Sequence, residues 1–351
     1  MEKEVKTLTS NGFRVTVLAW DREGMYRNYE LYGTQIVWRL KLRVAYHKLA
    51  VIAYYPIFWL WVLSKLIKMH PKIVHACDLD SILPALLYRR LIGGAKVIFD
   101  VFDNYGLLIQ ARSEVLGSIV GSIEFLVASK PDAFVTVSEE RLKLFNKAKL
   151  PLTEIIMNCP PDHDLANYKQ IKKNAKMFRI VYAGIIASGR GLIELAEATK
   201  DIENVEVTMA GRVVDPEVAE SLNSFPGVKY VGQLSFNESL TLEKSADVIP
   251  VLYDPHVPIN ETATPNKLFE AMMFGVPIIT NLDCILQEVN CGISVSYGNI
   301  AEIRNAILRL KKHPTVRREL GLQGRLAFEQ KYNWAVMEKK LIKLYRQLLT
   351  N

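Results

Sequence analysis

Short β-branched runs alternate with helical patterns along almost the whole chain, and this alternation limits the fold more than any other feature. Strands separated by helices build a parallel sheet flanked by helices, the α/β class. In the first half, strands are predicted at 14–19, 73–75, 96–100, 133–137 and 154–157, with helical patterns between them such as 81–91 and 139–147. Residues 158–162, Asn-Cys-Pro-Pro-Asp, break the pattern, and the polar, basic stretch 167–176 reads as a linker. The alternation restarts with strands at 179–183, 205–210, 228–231, 248–252, 277–280 and 293–295. Two long helical patterns, 300–310 and 333–349, close the chain. Its 351 residues suffice for two domains of about 100–200 residues. We therefore expect two Rossmann-like, doubly wound domains facing across a cleft, residues 1–165 and 166–330, with a final helix at 331–351 packing back on the first. The chain opens inside a helical pattern, 2–8, whereas a doubly wound domain usually opens with a strand and a glycine loop. The first strand of the N-terminal domain is thus expected to be missing.

Charge is unevenly placed. Lys and Arg outnumber Asp and Glu by 44 to 37, for a net +7. Between Leu31 and Cys77 there is no Asp or Glu, while Arg39, Lys41, Arg43, Lys48, Lys65, Lys68 and Lys72 contribute seven positive charges. Inside that stretch, residues 49–63 are all apolar or aromatic. A bilayer span needs about 20 such residues, and Pro56 interrupts the run, so a transmembrane helix is disfavoured. Two readings stay open: a helix buried on a sheet, or an interfacial element with Trp59 and Trp61 at headgroup depth and its lysines on anionic lipid. No nucleic-acid-binding motif accompanies the patch, so nucleic acid is not expected as a partner. The four cysteines form no paired motif, and the N-terminus has no signal-peptide core, which predicts a cytoplasmic protein.

The segment Thr264-Pro-Asn-Lys-Leu-Phe-Glu-Ala-Met-Met-Phe-Gly-Val-Pro-Ile-Ile279 carries the most specific chemistry. Pro265 suits the first turn of a helix, whose amides and dipole favour an anion. Lys267 adds positive charge, and Glu270 follows about one turn on, where a carboxylate could accept two hydrogen bonds from a ribose diol. Alone, Pro-x-Lys-x-x-Glu is an ordinary helix start. The extended string resembles the donor-binding helix of the family 4 (group 1) retaining glycosyltransferases, which have the two-domain GT-B architecture. Residues 181–198 (VYAGIIASGRGLIELAEA), 207–212 (VTMAGR), 228–240 (VKYVGQLSFNESL) and 245–253 (SADVIPVLY) are similar to the succeeding units of that family, in order. So, in the first half, are 11–23, 73–87 and 132–140.

The resemblance implies a hexosyltransferase-like enzyme that takes sugar from a UDP- or GDP-linked donor, with no cofactor and no metal. Glu270 would hold the ribose, and Thr264, Pro265, Asn266 and Lys267 would lie beside ribose and diphosphate. Arg190 would neutralise the diphosphate, while Gly184 and Gly211 would let the backbone approach the donor. Three positions depart from the family pattern. Thr262 stands where a second Glu usually touches the sugar, with Glu261 one residue away; Ile185 replaces a basic residue; and Phe102 replaces a His. Asp103 or Asp100 could then orient the acceptor hydroxyl or receive its proton, or serve as loop caps. Asp78 and Asp80 read as helix caps, and His75 as a satisfied strand-end histidine. Met1-Glu-Lys-Glu resembles the end of the family's entry to its first helix, which implies a start assigned at an internal GTG codon.

The implied acceptor is a lipid-linked or cell-envelope glycan at the inner face of the plasma membrane, met through Arg39, Lys41, Arg43, Trp59, Trp61 and Lys65. Two alternatives remain at this point. One is a nucleotide-sugar 2-epimerase, for which no acid/base set is evident. The other is a non-catalytic donor-binding or scaffold subunit derived from a transferase.

Overall fold

The computed structural model describes residues 1–32, 35–44, 49–162 and 176–350. Lys48, all of the expected linker except Lys176, and the expected 165/166 boundary lie outside them. The chain divides into two compact units, Met1–Met157 with Met337–Asn351, and Asn158–Val336.

The first unit runs α1 (Glu2–Ser10), β1 (Thr16–Asp21), β2 (Tyr29–Tyr32), β3 (Gln35–Lys41), α2 (Tyr55–Met69), β4 (Ile73–Cys77), α3 (Leu79–Ile92), β5 (Lys96–Val101), α4 (Tyr105–Gln110), α5 (Glu114–Ala128), β6 (Ala133–Thr136), α6 (Glu139–Lys143) and β7 (Leu152–Ile155). Strands β4 to β7 form a parallel sheet in sequence order. A second sheet has the order β1-β3-β2, with β3 parallel to β1 and antiparallel to β2. The β2–β3 pair has no counterpart in the sequence reading. Of the β3 residues only Val37 is buried, so no two-residue alternation marks the strand.

Pro56 falls in the first turn of α2, where its missing amide costs nothing, so it starts this helix rather than interrupting the apolar run. The helical stretch Val51–Met69, 19 residues, is by length and composition sufficient to cross a membrane. Phe58, Val62 and Leu66 form one buried stripe of α2 at four-residue spacing, packed with Tyr88 and Ala95.

The second unit runs β8 (Phe178–Ala183), α7 (Leu192–Thr199), β9 (Val205–Ala210), α8 (Pro216–Asn223), β10 (Val228–Tyr230), α9 (Phe236–Lys244), β11 (Ile249–Val251), α10 (Asn266–Phe274), β12 (Ile278–Thr280), α11 (Asp283–Glu288), β13 (Gly292–Ser294), α12 (Ile300–Lys312) and α13 (Pro314–Gln330). Parallel pairing gives β10-β9-β8 and β11-β12-β13, and a bridge from Ile180 to Val248 joins the two halves. The order is that of the classic dinucleotide-binding sheet, 3-2-1-4-5-6, with its switch point between β8 and β11. Ile180, Leu195, Val207, Ile303 and Ile307 are fully or almost fully buried in its core. Burying side chains of this size contributes about 1.5–3 kcal/mol each. The end of α10 meets α13 backbone to backbone at one point: a Cβ on Gly321 would lie 2.0 Å from the Gly275 carbonyl oxygen.

The last helix, α14 (Trp334–Thr350), returns to the first unit from Met337 onward. Met337, Leu341, Leu344 and Leu348 make its buried stripe.

Candidate functional site

Ligands in open α/β sheets bind beyond the carboxyl ends of the strands at the switch point, and there the second unit has a pocket of about 250 Å³. Gly184, Ile185, Gly211, Arg212, Lys267 and Glu270 line it. Gly211 has φ +134°, and a Cβ there would sit 1.7 Å from the Gly184 carbonyl oxygen. Only glycine allows the β8 and β9 ends to come this close. The amide of Gly184 donates to the Ala210 carbonyl at 2.8 Å, and that of Gly211 to the Gly232 carbonyl at 2.9 Å.

Helix α10 starts after Pro265, and no side chain caps it. The Leu268 amide donates to the Pro265 carbonyl at 3.1 Å, so the Asn266 and Lys267 amides, with the helix dipole, are the ones that can meet an anion. Lys267 Nζ lies 2.6 Å from Glu270 Oε2 and 2.8 Å from Glu243 Oε1. Glu270 is buried at 4% exposure and Glu243 at 0%. Burial opposes the Lys267 charge, but Glu243 and Glu270 outweigh it and hold the ammonium well above its ordinary range. Burial, reinforced by the Glu270 charge and opposed by Lys267, pushes Glu243 up to about 8. Asn266 Oδ1 accepts from Asn158 at 3.0 Å. Thr264 and Pro265 are half-buried just ahead of the helix. Thr262 is buried with its hydroxyl unpartnered, whereas Glu261 is exposed.

Arg190 is half-buried, its guanidinium 4.1 Å over the Tyr253 ring and its Nη1 without a hydrogen-bond partner. Burial raises the Tyr182 and Tyr253 phenols, while the charges of Arg190 and Lys267 pull both down. A half-buried guanidinium with a free N–H, a lysine and an uncapped helix start suit a diphosphate. The sequence reading missed Glu243, Tyr182 and Tyr253. Nothing in the pattern of α9 sets Glu243 apart from a solvated helix charge.

In the first unit, Asp100 is 1% exposed, with Oδ2 2.9 Å from His75 Nε2, and His75 Nδ1 lies 2.8 Å from the Tyr345 hydroxyl. His75 is satisfied within the fold, and the Asp100 carboxylate is directed inward. Donor atoms of Glu4, His75 and Asp100 lie within 4.8 Å of one another, close enough in principle for a metal. Burial and the Asp100 charge push Glu4 up, favouring its neutral form. Asp100 holds His75 up against burial.

Asp103 is 54% exposed and pairs with Arg141 at 3.1 Å. Asp78 occupies the position before α3 at φ 61° but does not cap that helix. Its Oδ1 instead accepts from the Phe102 and Asp103 amides at 2.8 and 3.1 Å, which corrects the cap reading. The carboxylate is thus used to fix the loop after β5. Burial, against those two bonds, raises it to about 7. Asp80 follows in the first turn of α3, 3.8 Å from Arg22.

The residues expected at a membrane are mostly engaged within the unit. Arg39 pairs with Glu30, Trp59 Nε1 donates to the Asp80 carbonyl at 2.7 Å, and Lys65 Nζ sits 3.6 Å over the Trp38 ring. Trp61 is half-buried, while Lys41 and Arg43 are exposed. The free apolar surface lies elsewhere. Ile57, Leu60 and Ile67 of α2, Leu83, Leu87 and Leu91 of α3, and Val115, Leu116, Ile119, Ile123 and Leu126 of α5 are all exposed. At about 100° per residue, the five on α5 fall within an arc of about 100°, one unbroken stripe.

No family model matches the chain, and no curated protein matches it by sequence. Solved structures do match over nearly its whole length. A sucrose-phosphate synthase from Thermosynechococcus elongatus is similar at TM-score 0.81 and 19% identity, over 99% of this chain and 92% of that one. A trehalose-6-phosphate synthase studied for glycosyl transfer with retention is similar at TM-score 0.73 and 11% identity, over 99% and 96%. An Anabaena protein in complex with UDP-glucose is similar at TM-score 0.68 and 12% identity, over 95% and 99%. The switch-point sheet of the second unit, the parallel sheet of the first and these likenesses lead to one conclusion: the chain has the GT-B fold.

Proposed function

We propose that the protein is a nucleotide-sugar-dependent glycosyltransferase that acts with retention on a lipid-linked or cell-envelope acceptor. The observation that carries this is the switch-point pocket, lined by Lys267 and Glu270 at the start of α10, with Arg190 stacked on Tyr253 nearby. Departure of a nucleoside diphosphate concentrates negative charge on phosphate oxygens. Arg190, Lys267 and the α10 amides would stabilise that charge as it develops. Glu270 would accept the ribose hydroxyls, and the Gly184–Gly211 approach would let the backbone reach the donor. Thr262, with its unpartnered hydroxyl, would face the sugar in place of a carboxylate. The UDP-glucose complex of the Anabaena protein favours a uridine donor. Of the two carboxylates after β4 and β5, Asp103 is the exposed one, so it would meet the acceptor, while Asp78 fixes its loop and Asp100 stays with His75. The leaving phosphate itself would help deprotonate the incoming hydroxyl.

The exposed apolar faces of α2, α3 and α5 support an acceptor held at an anionic membrane, with Lys41 and Arg43 as free cations and the cytoplasmic face as the place of work. The test is transfer of labelled sugar from UDP- and GDP-sugars into a bacterial lipid extract, with the anomeric configuration of the product read by NMR. Retained configuration in a lipid product supports the reading. Nucleotide binding with neither transfer nor donor hydrolysis would replace it with a donor-binding subunit.

A further inference from the structure

The pocket lysine has one carboxylate more than a donor site requires. Glu270 lines the pocket with Lys267. Glu243 does not: it reaches Lys267 from behind, on α9, with 0% exposure and Oε1 2.8 Å from Nζ. From α10, the charged groups facing it are Lys267 and Glu270. The strand packed on α9, β8, carries Arg179, whose Nε pairs with Glu206, and Tyr182, whose hydroxyl donates to the Ile185 carbonyl; neither is among the groups acting on Glu243. Lys267 is therefore the cation that Glu243 addresses.

We propose that Glu243 is a positioning residue that sets, through Lys267, how strongly this pocket holds a nucleoside diphosphate. The inference rests on the donor-site reading. A neutral Glu243 leaves the ammonium's charge to be shared by Glu270 and the diphosphate. An ionised Glu243 claims that charge and adds a negative charge behind the phosphate site. Its burial and the adjacent Glu270 place the change near pH 8. Affinity for the diphosphate is thus high where Glu243 is protonated and falls as pH rises through that value. Lys267 itself stays charged over this range, because its two carboxylates raise it.

The experiment is titration of the full-length protein with UDP and GDP from pH 7 to 9.5, alongside Glu243→Gln, which keeps the shape and cannot ionise. For the wild type, we expect affinity on the order of tenfold weaker at the top of the range, the size of one added charge at intermediate dielectric. Glu243→Gln is expected to match the wild type at pH 7 and to hold its affinity within about twofold at high pH. A wild-type affinity that does not change with pH overturns the proposal without any variant. So does a Glu243→Gln profile that falls in parallel with the wild type, since a different group would then be titrating. If the wild type binds neither nucleotide at any pH, the donor-site reading falls and this inference with it. Should Glu243→Gln fail to fold, the wild-type profile and Lys267→Met, expected to flatten it, still decide.

Discussion

Single residues here are often committed in ways their neighbours in sequence do not reveal. Lys267 and Glu270 were legible through the resemblance of the extended string 264–279, since Pro-x-Lys-x-x-Glu alone is an ordinary helix start. Glu243 was not, because its burial depends on a lysine 24 positions away that only the packing of α10 on α9 delivers. Asp78 was read as a cap and instead holds the Phe102 and Asp103 amides, an outcome decided by its left-handed backbone. Two predictions belong at this scale. Gly211→Ala forces a Cβ to within 1.7 Å of a carbonyl oxygen at φ +134°. It should cost about 3 kcal/mol or more in urea unfolding; a loss below about 1 kcal/mol would show that the approach is not tight. Asp78, raised in the fold to about 7, binds protons there more tightly than in the unfolded chain. Its contribution therefore weakens as pH rises from about 4 to about 7. Asp78→Asn keeps an acceptor oxygen and cannot ionise, so it should gain on the order of 2 kcal/mol relative to wild type between pH 5 and pH 8. An equal difference at both pH values would contradict the burial argument.

At the scale of elements, strands in the buried parallel sheets were read well, because β5, β6 and β8 are mostly apolar runs and β9 starts with a clean apolar/polar alternation. Strand β3 was missed because one buried valine is too little pattern. Helix α2 has one stripe buried on α3, as the buried-helix reading expects, while the opposite stripe is bare and Trp59 and Lys65 of the interfacial reading are engaged within the unit. The larger apolar ridge, on α5, went unread because its residues look like core until the exposed side is known. Burial of Gly117, Glu124 and Ala128 on the other face leaves Ile119 and Ile123 outside. Ile119→Glu with Ile123→Glu should leave the free energy of urea unfolding within about 0.5 kcal/mol of wild type. The same pair should abolish cosedimentation with vesicles rich in anionic lipid. Unchanged vesicle binding would remove α5 from the membrane reading.

For the molecule as a whole, the order of strands and helices foretold two α/β units, and the switch point of the second marks where a ligand belongs. What sequence could not supply was the setting of the convergence of Lys267, Glu270 and the α10 start at that point: Tyr253 lies under Arg190, and Glu243 from α9 backs Lys267. The central claim is that this convergence binds a nucleoside diphosphate. Its most direct test is the thermal stability of the full-length protein with UDP, GDP and ADP, beside Glu270→Ala. A nucleotide at about 100 times its dissociation constant should add about 2.7 kcal/mol of stability. The account predicts that shift with UDP, lost in Glu270→Ala. A folded wild-type protein that none of the three stabilises, or an equal UDP shift in Glu270→Ala, would contradict it.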